Sequence, residues 1–164
     1  MPNRAEVESE ARRIIADDYT GRSVTDDAIR WAVLALEAGF DSPNVLMLAA
    51  SERPANWFET ERYFRAALAE VGVPWPDRDQ ALRDYARDVA ASVVDGSVDP
   101  ERGVQRLAQY AIALDYPDDM MDLYVLEDEL EIRYGPDRVK PEHWRPAARA
   151  ACERFLSSAG GSAV

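Results

Sequence analysis

Apolar residues recur at helical spacing along most of the chain, and no stretch alternates between apolar and polar in the manner of a half-buried strand. The first such stripe predicts a helix over about residues 4 to 19, and its members are Val7, Ala11, Ile14 and Ile15. The segment IRWAVLALEA, residues 29–38, is apolar on nearly every side. A helix without a polar face is normally buried on several sides, so this segment predicts the central helix of the N-terminal half.

Helix ends and starts are marked by residues that terminate or cap helices. The predicted ends lie at Gly21, Gly39, Gly72 and Gly96. The predicted capping residues are Ser23 and Thr25, Asn56, Asp77 and Asp99. Proline follows the cap directly in Ser42-Pro43 and Asp99-Pro100, as is typical of a first helical position. A last helix starts near Lys140 and holds Pro146 within its first turn or two. These signals predict an all-α fold, an irregular or orthogonal bundle of roughly seven or eight helices.

The segment Val73-Pro74-Trp75-Pro76-Asp77 is the predicted boundary between two halves, because two prolines around a tryptophan cannot lie inside a helix. We therefore expect an N-terminal helical half over residues 1–74 and a C-terminal half over residues 75–158, packed as one domain. The order of helix, glycine, cap and proline-led helix recurs at an offset of about 75 residues, so two similar helical halves are one interpretation; coincidence of ordinary helix boundaries is the other. Residues 159–164 are small, and a flexible tail is expected.

The net charge of the chain limits the kinds of partner that it can bind. The chain of 164 residues has a formal net charge of -12, with 47% hydrophobic and 30% charged residues. Such an acidic protein is disfavoured as a nonspecific binder of nucleic acid or of anionic lipid, since both are polyanions, and it is compatible with a basic protein partner. A solvated acidic surface without a partner explains the same charge. No apolar run approaches the roughly 20 residues of a membrane span, and the N-terminus lacks the apolar stretch of a signal peptide, so a cytoplasmic location is expected.

Motifs for several catalytic chemistries are absent from the sequence. It holds no glycine-rich phosphate loop, no GxSxG elbow and no HExxH motif. His143 is the single histidine, which excludes a two-histidine zinc site. Cys152 cannot pair with it as a nucleophile, because nine residues on one helix separate them by about 14 Å. Cys152 is better interpreted as a small buried hydrophobe. We expect no catalytic residue, no metal and no cofactor.

Residues 110–131, YAIALDYPDDMMDLYVLEDELE, hold the densest acidic cluster and the strongest turn signal of the chain. The predicted partner-binding residues all lie in this segment: Asp115, Tyr116, Asp118, Asp119, Asp122, Glu127, Asp128 and Glu131. Tyrosines among carboxylates are typical of interfaces with arginine-rich and lysine-rich partners. Three alternatives stay open. The carboxylates could bind a hard cation, although the D-x-D-x-D-G pattern is missing; Glu127 and Glu131 could form an acid–base pair; or the aspartates could simply favour the first turn of a helix.

The stretch IRWAVLALEAGFDSPNVLMLAA resembles a group of small, uncharacterised helical proteins of GC-rich bacteria. The shared features are Trp31-Ala32, Gly39, Asp41-Ser42 and the apolar Leu48-Ala49 pair. The second half, with Gly96, Asp99-Pro100 and Gly103, is similar to a recurring segment of such proteins. The resemblance implies an all-helical fold and no activity, so no functional residue is carried over.

Size, acidity, helical build and the lack of catalytic motifs together favour a non-catalytic cytoplasmic protein that binds and neutralises or regulates a basic protein partner, as an immunity protein does. One alternative is an accessory subunit held in a larger assembly by apolar contacts. Another is a divalent-metal-dependent hydrolase that uses the acidic stretch of residues 115–131. The sequence leaves the oligomeric state open.

Overall fold

The computed structural model describes residues 1–130 and 144–158. This part of the chain contains eight α-helices, a single 3₁₀ turn and no strand, which confirms the all-α prediction. The helices are α1 (Arg4–Tyr19), α2 (Thr25–Glu37), α3 (Pro43–Ala49), α4 (Trp57–Val71), α5 (Arg78–Asp95), α6 (Pro100–Ala113), α7 (Met121–Glu129) and α8 (Trp144–Ser158). The 3₁₀ turn, Asp118–Met120, directly precedes α7. No helix of the described residues combines the length and the apolarity that crossing a bilayer requires.

The chain divides into two compact units, Met1–Ala81 and Leu82–Val164. The boundary falls within the first turns of α5, a few residues after the proline-rich segment that marks the expected boundary between the halves. The similarity of the two halves stays a prediction. The expected tail of residues 159–164 lies outside the described residues, as does the expected start of the last helix near Lys140.

The first unit is built around Trp31 of α2, which is fully buried. Its indole Nε1 donates a hydrogen bond of 2.9 Å to the backbone carbonyl of Val7 in α1. Its ring meets the ring of Phe64 in α4 edge to face, with centroids 5.1 Å apart. The tryptophan thus satisfies its one polar group while its ring adds about 0.5–1.5 kcal/mol through the aromatic pair, beyond its apolar burial. Helix α2 also packs against α3, and α3 packs against α4.

Helix α2 is covered by neighbouring helices on several sides, as expected, but one side of it is open to solvent. Val33 is 44% exposed, while Leu34 and Leu36 are only partly buried. The unit places α1, α3 and α4 against α2. These neighbours cover the side of Trp31 and Ala35 and leave the side of Val33 open to solvent.

Most predicted caps are confirmed. The side chain of Asn56 accepts a hydrogen bond from the Glu59 backbone N–H, and Asp99 accepts from the backbone N–H groups at the start of α6. Asp77 accepts from the Gln80 N–H at 2.9 Å at the start of α5. The prediction for α2 was wrong: the residue before its first turn is Val24, and no side chain caps it. Asp26 and Asp27 occupy that first turn, where the helix dipole favours carboxylates.

The second unit contains most of α5, then α6, the 3₁₀ turn, α7 and α8. Its largest fully buried side chains are Leu82, Leu107, Tyr110, Met120 and Leu123, together with Phe155 of α8, which is 2% exposed. Gly103 of α6 lies so close to α5 that a Cβ atom there would sit 2.1 Å from Val93 Cγ2. Helix α6 packs against both α7 and α8. The short connection between α6 and α7, which lies within the acidic segment of residues 110–131, is therefore held at both ends by the core of this unit.

Candidate functional site

The acidic segment begins where α6 ends, in a turn of unusual backbone conformation. Asp115 and Tyr116 both have positive φ angles, 61° and 57°. The Asp115 N–H donates to the carbonyl of Ile112 at 3.1 Å, and the Tyr116 N–H donates to the carbonyl of Ala111 at 2.8 Å. These two bonds form a Schellman motif, in which the residue after the helix adopts the left-handed conformation.

Glycine occupies the equivalent position at three other helix ends. Gly21, Gly39 and Gly72 have positive φ angles. At each of them, the N–H of the glycine and the N–H of the next residue donate to carbonyls of the last helical turn, as at Asp115 and Tyr116. A left-handed conformation costs a residue with a Cβ about 1–2 kcal/mol, and aspartate tolerates it better than a bulky side chain does. Tyr116 is therefore the larger departure. The turn after α6 holds two residues that glycine could replace at lower backbone cost.

The turn brings Tyr116 against Tyr124 of α7. The two rings meet edge to face, with centroids 5.2 Å apart and planes at 83°. Tyr116 is 45% exposed, and Tyr124 is partly buried. The pKa of Tyr124 is raised, first by the neighbouring phenol of Tyr116, then by burial, and then by the carboxylates of Asp128 and Glu127. These five residues, Asp115, Tyr116, Tyr124, Glu127 and Asp128, form what we call the acidic tyrosine surface.

Two of the predicted partner-binding aspartates form ion pairs within the unit. Asp119 lies 3.0 Å from an Arg83 guanidinium nitrogen of α5. Asp122 lies 3.0 Å from Arg154 of α8. Exposed pairs of this kind contribute about 0–1 kcal/mol, so their main effect is to reduce the net negative charge at the start of α7.

The remaining predicted residues are distributed as follows. Asp115, Asp118 and Asp128 are exposed to solvent, and Glu127 is partly buried. Glu131 lies outside the described residues. Tyr116, Glu127 and Asp128 thus lie near Tyr124, and Asp115 directly precedes Tyr116 in the turn.

Sequence reasoning missed the apolar part of this region. Ile112 and Val125 are each 49% exposed, on either side of the tyrosine pair in the sequence. Neither belongs to the apolar stripe that faces the core, which includes Leu107, Ala111 and Leu123. An apolar residue off the inner stripe of an amphipathic helix was the available signal.

The carboxylates are not arranged as a metal site in the part of the chain that the structure describes. No group of three or more histidine, cysteine, aspartate or glutamate side chains converges there as ligands. The pair of Glu127 and Glu131 proposed for acid–base chemistry extends beyond the described residues. Cys152 is buried, as predicted, and burial together with Glu153 raises its pKa to about 11. Its thiol is therefore protonated and unreactive at neutral pH.

A second group of titratable residues lies in the first unit. Asp18 of α1 has a raised pKa, caused first by burial and then by the charge of Glu61 in α4. Arg65 and a hydrogen bond from Trp57 act in the opposite direction. Arg65 pairs with Glu61 at 2.7 Å and lies over the ring of Trp75 at 3.6 Å. The cations and hydrogen-bond donors of this group are thus engaged with its own carboxylates and rings, which is typical of a structural network.

No protein-family model, curated protein or solved structure gives a significant match to the chain. The fold and the surface together define an all-α protein in which an exposed tyrosine, Tyr116, meets the partly buried Tyr124 in an acidic segment.

Proposed function

We propose that this protein is non-catalytic, and that it binds and neutralises or regulates a basic protein through the acidic tyrosine surface. The observation that carries the proposal is the ring pair of the exposed Tyr116 and the partly buried Tyr124 inside a segment of high negative charge. Between residues 107 and 130 there is no lysine or arginine, and the acidic residues are Asp115, Asp118, Asp119, Asp122, Glu127, Asp128 and Glu129. Aromatic anchors surrounded by charge are typical of the residues that dominate binding energy at interfaces.

The backbone at the turn supports the same proposal. Residues in sparsely populated conformations cost about 1–3 kcal/mol and cluster at functional sites. Asp115 and Tyr116 both adopt such a conformation, and the ring of Tyr116 meets that of Tyr124. A glycine at either position would relieve strain and would remove part of the surface.

Charge gives this surface a role in association as well as in affinity. Complementary charges accelerate encounter with a basic partner, and the acceleration falls as salt rises. A toxin-neutralising immunity protein is the concrete form of the proposal, since its task is fast and tight capture of one protein. Electrostatic steering of this kind needs no catalytic group.

The test is capture of partners by the tagged protein from its native cells, at low salt and at about 0.5 M salt, where charges are screened beyond a few ångströms. The test variant is the double substitution Asp115→Asn with Asp128→Asn. Its control is Asp41→Asn with Glu52→Gln, which removes the same charge from exposed positions of the first unit. A basic partner should bind the test variant about tenfold more weakly and the control variant as tightly as the unmodified protein. Equal weakening by both variants would show that only net charge matters and would remove the surface from the proposal.

A second candidate function is favoured by exposed apolar residues of the first unit. Phe58 at the start of α4 is 87% exposed, and Leu46 and Met47 of α3 are about half exposed. An accessory subunit held by apolar contacts would use such residues. This candidate predicts a partner that survives high salt and is lost on Phe58→Ser with Met47→Ser, while Asp115→Asn with Asp128→Asn has no effect.

A further inference from the structure

The edge-to-face pair of Tyr116 and Tyr124 offers ring faces and nearby carboxylates, which together can bind a planar cation. We propose that the acidic tyrosine surface receives the guanidinium of an arginine side chain from the partner, stacked on a tyrosine ring and paired with Asp128. This inference rests on the proposed function and names the chemical group that the surface recognises.

The rings supply the first part of the site. The face of a tyrosine ring carries negative potential and attracts a cation within about 6 Å of its centroid. Because the two ring planes form an angle of 83°, the edge of one ring contacts the face of the other. With 45% of Tyr116 exposed, ring surface stays open to solvent beside Tyr124.

The charges around the rings supply the second part. The groups that act on Tyr124 are the Tyr116 phenol, Asp128 and Glu127, and each raises its pKa. A nearby cation would act in the opposite direction by stabilising the phenolate. The site thus combines acceptors and negative charge, which a cationic donor complements.

Other aromatic rings of the chain are in contact with arginine side chains of the chain itself. In the described residues, four rings carry an arginine of the chain itself: Arg4 on Phe40, Arg62 on Tyr63, Arg65 on Trp75 and Arg106 on Tyr85. The Tyr116–Tyr124 pair has no such arginine among the described residues, although both rings reach the surface. A partner's arginine would complete there the contact that the chain makes internally elsewhere. Arginine fits better than lysine because its planar guanidinium stacks on a ring and binds a carboxylate at the same time.

The experiment measures binding of blocked Gly-Arg-Gly, Gly-Lys-Gly and Gly-citrulline-Gly peptides to the full-length protein by NMR of the tyrosine ring protons. Citrulline keeps the shape of arginine and lacks its charge. We expect the arginine peptide to shift the ring signals of Tyr116 and Tyr124 and to bind more tightly than either control peptide. Tyr116→Phe and Tyr124→Phe assign the signals and should retain binding, because phenylalanine keeps a ring face.

Removing a ring face should weaken the arginine peptide about two- to fivefold in Tyr124→Leu or Tyr116→Leu. Asp128→Asn should weaken it without any change in the rings, and Asp41→Asn should have no effect. Equal binding of the citrulline or lysine peptide, no shift with any peptide, or full binding by both leucine variants and Asp128→Asn would each overturn the inference.

These outcomes separate the inference from the proposed function. A captured basic partner that is lost in the charge variant but kept in both leucine variants would leave the function standing and refute the arginine site. Binding of the arginine peptide without capture of any basic partner would support the arginine site and refute the proposed function.

Discussion

Replacing Asp115 by glycine should make the protein more stable, although it removes a residue of the proposed binding surface. Asp115 follows α6 with φ at 61°, whereas glycine with a positive φ follows α1, α2, α4 and α5. The backbone hydrogen bonds of the turn need the left-handed conformation and no side chain. Asp115→Ala removes the same charge and keeps a Cβ, so comparing the two variants isolates the backbone conformation.

The magnitude follows from two opposing contributions. A Cβ in the left-handed conformation costs about 1–2 kcal/mol, and glycine removes this cost. Glycine also gains freedom in the unfolded chain, which offsets about 0.5–1 kcal/mol. We therefore expect Asp115→Gly to exceed Asp115→Ala by about 0.5–1 kcal/mol in the free energy of unfolding. For a chain of this length, this difference raises the melting temperature by about 1–4 °C.

Thermal and urea unfolding followed by far-UV circular dichroism measure this difference. The reciprocal control is Gly39→Ala, because Gly39 has φ at 89° and a Cβ there would meet nothing within 4 Å. It should lose about as much stability as Asp115→Gly gains over Asp115→Ala. The reasoning is refuted if the two Asp115 variants unfold together while Gly39→Ala is destabilised.

Three further predictions concern the cores of the two units. Asp18→Asn should raise stability at pH 7, because burial and Glu61 raise the folded-state pKa of Asp18 and so penalise its charged form; the gain should vanish as the pH falls through that pKa, which urea titrations at several pH values would test. Gly103→Ala should lose about 1–3 kcal/mol through overpacking against Val93, and Val93→Ala in the same chain should recover part of the loss, as a double-mutant cycle of unfolding free energies would measure. Cys152 should react with a disulfide reagent at pH 8 no faster than the protein unfolds, because its thiol is buried and has a pKa of about 11; rapid labelling of the native protein would contradict this.

The helices could be read from the sequence because their boundaries are set locally. Asn56, Asp77 and Asp99 each accept a hydrogen bond from a backbone N–H two or three residues later, so the residue type alone indicates a start. Gly39 and Gly72 mark ends for the equally local reason that glycine tolerates positive φ. Such signals need no knowledge of which helices pack together.

The exposed side of α2 and the tyrosine pair could not be read in this way. Val33 is exposed because the neighbouring helices cover other sides of α2, and their arrangement depends on the whole unit. The contact between Tyr116 and Tyr124 involves a turn in which Asp115 and Tyr116 adopt the left-handed conformation. Neither residue type predicts that conformation, as a glycine would. The sequence shows where the acidic residues are concentrated, but it does not indicate which of their side chains share a surface.

The acidic segment separates into residues that folding explains and residues that it does not. Asp119 and Asp122 pair with arginines of α5 and α8, and they lie at the start of a helix, where the dipole favours carboxylates. Asp115 and Tyr116 have no such advantage, because their backbone conformation would be more stable with glycine. Natural chains stay close to the stability that function requires, and strained residues at a surface are a recurring cost of activity. If Asp115→Gly is more stable and also binds the basic partner more weakly, the strain and the surface belong to one functional feature. If it is more stable and binds equally well, the turn is ordinary tolerated strain, and the site must be sought among Tyr124, Asp128 and the exposed residues beside them.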